Sequence, residues 1–108
     1  MAIPHAKSGE LLDVRPLGVA LAGSRTTTLV KTGHLEIIRL VILAGKDIAE
    51  HRVAGDITVQ CIEGRVTFKS GETEQDLLPG RLLFLNGGEP HSLHAIENSS
   101  VLVTILLR

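Results

Sequence analysis

The sequence predicts an all-β fold, and three observations carry the prediction. Turn signals recur at Gly45, Gly55, Gly64, Gly71, Gly80, Gly88 and Asn98, separated by 10, 9, 7, 9, 8 and 10 residues. The segments between them are short and rich in Val, Ile, Leu and Thr. No segment carries a helical stripe with caps. Short strands at regular spacing, punctuated by Gly, Pro and Asn, make a sandwich or a barrel.

The strands follow in order. The pattern places them at about Thr27–Lys31, Leu35–Leu43, Ile48–Arg52, Ile57–Glu63, Arg65–Lys69, Thr73–Leu77, Arg81–Leu85, Ser92–Ala95 and Val101–Leu107. Ser70-Gly71-Glu72 reads as a hairpin turn. Pro79-Gly80 reads as another, because Pro fixes φ and Gly admits a left-handed position. Residues 1–8 read as a loose tail before a single domain spanning 1–108, with its barrel core at about 35–107.

Two of these strands are apolar on both faces. In Val101–Leu107, Val101, Val103, Ile105 and Leu107 point one way, and Leu102 and Leu106 the other. In Leu35–Leu43, Ile38, Leu40 and Ile42 share one face, and Ile37, Val41 and Leu43 share the other. A half-buried strand needs only one apolar face, so something must cover the second. A second copy of the chain is the expected cover, giving a homodimer. The alternative is that the N-terminal residues fold back over it.

Composition narrows the function classes. The chain has 108 residues, enough for one small core, and 44% of them are apolar. The net charge of −1, with Lys and Arg scattered, gives no electrostatic case for nucleic acid or an anionic membrane. The longest apolar stretch, Val101 to Leu107, is broken by Thr104 and is far too short to span a bilayer as a helix. The stretch LGVALAG, Leu17 to Gly23, is too short for a secretion leader and lacks a basic lead-in. A single Cys excludes an intramolecular disulfide, which suits a reducing cytoplasm. With no Trp or Tyr and only Phe68 and Phe84, ring stacking on a sugar is poorly served.

The candidate chemistry lies in two histidines. His51 stands in HRVAGDITVQCIEG, thirteen residues before Gly64, and His91 ends the turn NGGEPH. Around them the sequence resembles the cupin superfamily, specifically its small single-domain, RmlC-like members. The first cupin motif is Gly, five residues, His-x-His, three residues, Glu, six residues, Gly; Gly45, His51 and Gly64 fall in register with it. In the second motif Gly88 and His91 fall in register, with Asn86 where Pro is usual and Ala95 where Asn is usual. Pro79-Gly80 matches the turn between the motifs. The resemblance covers about Leu35 to Leu107 and implies a double-stranded β-helix, the jelly-roll barrel.

It also implies a metal site of three His and one Glu, which this chain departs from. Val53 stands for the second His and Ile57 for the Glu, leaving His51 and His91. A stable transition-metal site takes at least three protein ligands. Asp56 could supply a third only if a bulge at Ala54-Gly55 turned it inward. His94, three residues after His91, belongs on the opposite strand face. His34 and His5 have no spacing that calls for a role. Arg39 anchors a carboxylate if its face is interior, and is a surface or interface charge if exterior; Glu36 has the same ambiguity with opposite sign.

The expected pocket therefore consists of His51, Val53, Ile57, Val59, Cys61 and His91. Cys61 among aliphatics reads as packing. The pocket suits a small, mostly apolar ligand with one or two polar handles. Three functional readings stay open. The barrel binds or senses a small molecule; or it is a metal-dependent oxygenase or isomerase in which His51 and His91 hold Fe, Mn, Ni, Cu or Zn; or it is an interaction dimer with a vestigial pocket.

Overall fold

Nine antiparallel strands form two facing sheets in the computed structural model, which describes residues 4–107. The strands are β1 (Thr27–Lys31), β2 (Leu35–Ile42), β3 (Asp47–His51), β4 (Ile57–Glu63), β5 (Val66–Ser70), β6 (Thr73–Leu77), β7 (Leu82–Leu85), β8 (His91–Ala95) and β9 (Ser99–Leu106). One sheet has the order β1-β2-β9-β4-β7 and the other β3-β8-β5-β6. Each of the nine expected strands is present, three with the expected bounds and six displaced by one or two residues at an end. The architecture is the all-β jelly roll.

The core lies between the sheets and comes from alternation. On β4, Ile57, Val59 and Cys61 are buried; on β9, Val101 and Val103; on β5, Val66 and Phe68; on β8, Leu93 and Ala95. The residues between them on each strand face outward. Burying a Val, Leu, Ile or Phe side chain stabilises the fold by about 1.5–3 kcal/mol each, so this interior dominates stability.

The segment before β1 is not extended. Gly18–Gly23 forms a 3-10 helix, within the stretch that resembles a short leader. Its first amides are held by a carboxylate: Leu17 N–H and Gly18 N–H donate to Glu63, at 2.8 and 3.0 Å. Ser100 Oγ donates to the same carboxylate at 2.6 Å. Arg39 Nη2 donates to the Asp13 carbonyl at 3.3 Å, and Ala6 N–H donates to Leu29 on β1. The N-terminal residues thus run as a strap over part of the outer face of the five-stranded sheet, which settles Arg39 on the exterior face but beneath this cover. Among the described residues, no helix is long and apolar enough to cross a membrane.

Candidate functional site

Two strands of the smaller sheet bring the histidines together. His51 on β3 and His91 on β8 are direct cross-strand partners. Asp47 pairs with His94 and Ile48 with Leu93, but the register then shifts by one residue before His51. Without that bulge, position 50 would face His91, and Glu50 would stand where His51 does. The bulge is what turns His51 to the interior face.

The ring centroids of His51 and His91 lie 4.3 Å apart, tilted by 58°. Phe68 also stacks on His91, at 5.6 Å with 13° between planes. His91 is 4% exposed, whereas His51 is open to solvent. Each ring is oriented by its own strand. His51 Nδ1–H donates to the Ala49 carbonyl at 2.9 Å and His91 Nδ1–H to the Glu89 carbonyl at 3.1 Å. A carbonyl oxygen only accepts, so each neutral ring carries its proton on Nδ1 and holds a lone pair at Nε2. Burial lowers the pKa of His91 below 6.5, and a positive His51 beside it adds to the shift; the bond to Glu89 opposes both. His91 is therefore held neutral.

The turn before His91 is fixed by the loop after His51. Gly87 N–H donates to Asp56 Oδ1 at 2.8 Å and Gly88 N–H to the Val53 carbonyl at 2.7 Å. Ser70 Oγ donates to the Pro90 carbonyl at 2.7 Å. Backbone lies against backbone here: a Cβ on Gly87 would meet the Ala54 carbonyl oxygen at 2.1 Å.

The imidazoles close one end of an apolar cavity of about 40 Å³, lined further by Leu40, Val53, Ile57, Val59, Leu93, Val103 and Ile105. Five of the six expected pocket residues meet here. Cys61 does not: it shares the strand face but is fully buried, and its thiol donates to the Glu63 and Gly64 carbonyls. Desolvation raises its pKa, with the Glu63 and Glu97 charges adding and the Glu63 carbonyl opposing, so the thiol stays protonated. Phe68 and the far-strand aliphatics were not read from sequence, because no local spacing pairs strands this distant.

The residues present do not make a four-ligand metal centre. Val53 and Ile57 line the cavity as aliphatics. Asp56 is engaged with Gly87. His94 lies on the outer face, paired with Asp47 at 2.5 Å, and His34 sits exposed in the turn between β1 and β2. No group of three or more His, Cys, Asp or Glu able to hold a metal occurs among the described residues.

Comparison with known proteins agrees with the fold. A conserved protein of unknown function from Streptococcus pyogenes superposes with a TM-score of 0.76 at 21% identity, covering 100% of this chain and 96% of that one. A cupin superfamily protein from Desulfitobacterium hafniense gives 0.79 at 18% identity, covering 95% and 100%. An RmlC-like cupin protein from Desulfovibrio desulfuricans gives 0.72 at 24%, covering 94% and 97%. No functionally curated protein matches the sequence. The AraC-like ligand-binding domain family matches residues 43–106, which run from the end of β2 to the end of β9 and include both histidines. The chain therefore belongs to the AraC-like ligand-binding domain family and has a small cupin fold.

Proposed function

We propose that the barrel binds a small, mostly apolar molecule carrying a hydrogen-bond donor, with His51 and His91 as its polar handles. The observation that carries the reading is the imidazole pair, two Nε2 lone pairs at one end of an aliphatic cavity. A lone pair accepts, so the complementary group is a hydroxyl or amine rather than a carbonyl. The cavity of about 40 Å³ takes only a short apolar end. The rest of the ligand then lies at the mouth, against the exposed His51. The unpaired, protonated Cys61 goes with a cytoplasmic location.

Histidine Hε1 signals titrated with 2-propanol and with acetone, two small probes of similar size, test this. 2-Propanol should shift both His51 and His91 and bind about fivefold more tightly than acetone, the worth of one hydrogen bond. Silence at both histidines with both probes would refute the reading.

A second reading is supported by the ring orientation. Nδ1–H held by a backbone carbonyl with Nε2 left open is also how metal-ligating imidazoles are supported. Under it, ligand and solvent would complete the coordination of Fe, Mn, Ni, Cu or Zn. Elemental analysis of protein purified without chelator separates the two readings. Near-stoichiometric metal, lost in His91→Ala, would put the metal reading first.

A homodimer through the outer face of the five-stranded sheet completes the proposal. The strap leaves Leu82, Phe84 and Leu106 exposed on that face.

A further inference from the structure

We propose a second binding site, for a small organic carboxylate, on the outer face of the five-stranded sheet beneath the N-terminal strap. It is separate from the barrel and does not depend on what the barrel binds. Its centre is Arg39, which is 6% exposed. A guanidinium has five N–H donors. Among the described residues Arg39 makes one hydrogen bond, from Nη2 to the Asp13 carbonyl at 3.3 Å. No side-chain nitrogen or oxygen among the described residues is both fully buried and without a partner. The remaining guanidinium nitrogens therefore keep some accessible surface, and Arg39 lines a cavity.

The cavity has a volume of about 660 Å³ and is lined by Arg39, Arg25, Asp13, Thr28, Leu17 and Leu29 among others. It lies in the size range of small-molecule sites. Asp13 and Glu63 lie close enough to share the field of Arg39, but neither carboxylate hydrogen-bonds its guanidinium among the described residues. Asp13 is taken by Arg15, with contacts from 2.7 to 3.0 Å. Glu63 is taken by the strap amides and Ser100. A nearly buried cation short of acceptors calls for an anion with flat, paired oxygens, and the carboxylate matches the guanidinium fork. Arg25 makes no side-chain hydrogen bond among the described residues and supplies a second charge. The fields of Asp13 and Glu63 favour a monoanion over a phosphate dianion. Leu17 and Leu29 provide apolar wall for the ligand's organic body.

The test is a titration of ¹⁵N-labelled full-length protein with benzoate, inorganic phosphate and sodium chloride, read at the arginine Nε–H resonances. Benzoate should give a saturable shift at Arg39 that chloride does not. Arg25→Gln, at an exposed position, should weaken it about tenfold, the scale of one charge-assisted hydrogen bond. Arg39→Gln should abolish it; if that variant does not fold, Arg25→Gln and Thr28→Val carry the test. Four outcomes would overturn the site: no saturable shift, phosphate binding without benzoate, wild-type affinity in Arg25→Gln, or shifts at His51 and His91 with Arg39 silent. A dimer whose Arg39 signal ignores benzoate would also overturn it, because a partner's acceptor would then fill the cavity.

Discussion

At the scale of single residues, His91 is the most constrained group in the site. It is buried, stacked on Phe68 and paired with His51. Its folded-state pKa lies below the unfolded value of 6.5. The unfolded chain therefore takes up a proton first as pH falls. The stability His91 contributes is fully present above pH 6.5 and is lost as pH falls through the folded-state value. A wild-type melting temperature that drops across this window, with a shallower drop in His91→Gln, is the expected result. Its Hε1 titration should have a midpoint below 6.5; a midpoint at or above that value would contradict the burial argument. Phe68 is the other support, being 1% exposed. Phe68→Ala should cost about 3–5 kcal/mol in urea unfolding, because it removes a core side chain and the platform under His91. A cost below about 1 kcal/mol would show that the site collapses around the loss.

Elements place these residues through two devices, a bulge and a pair of interlocked loops. The 86–90 turn is pinned to the 53–56 loop by Asp56 and the Val53 carbonyl. Gly87→Ala drives a Cβ to 2.1 Å from the Ala54 carbonyl oxygen. The turn must then move, and the Glu89 carbonyl that orients His91 moves with it. The expected loss is about 2 kcal/mol or more, together with a changed His91 signal. Gly71→Ala is the control. Its Cβ meets nothing, so only the left-handed φ of +59° is penalised, by about 1–2 kcal/mol, with His91 unaffected. Equal effects on His91 would dismiss the interlock. The contrast between devices explains what was legible in the sequence. Strands repeat every second residue between Gly turns, so all nine could be read locally. His51 and His91 could be placed from motif spacing. The bulge at β3 has no local signature, and neither has the strap. The latter rests on Glu63 reaching Leu17 and Gly18, forty-six and forty-five residues away. The depth of Cys61 is illegible for a related reason: parity gives the face of a strand, not how far along it the cavity extends.

The whole molecule leaves one account open on its surface. The two apolar faces of β2 and β9 predicted a cover, and the strap supplies part of it at Arg39, Glu63 and Ser100. On the same face, Leu82 on the edge strand β7 is 61% exposed and Phe84 60% exposed, with Leu106 on β9 uncovered as well. An edge strand with outward aromatic and aliphatic side chains is a liability unless something packs on it. A second copy meeting the sheet face to face would cover it in both subunits at once by two-fold symmetry. A stable interface buries about 800 Å² from each partner. Sedimentation at micromolar concentration should therefore give a dimer. Phe84→Glu combined with Leu82→Lys should shift it toward monomer by at least about 30-fold in dissociation constant, the effect of losing a 2 kcal/mol anchor. Both side chains already face solvent in the single chain, so the melting temperature of the monomer should stay unchanged. A monomeric wild type would refute the dimer. Dimers that survive the double substitution but are lost in Leu11→Ser with Val19→Ser would move the contact to the strap, where these two side chains are fully exposed.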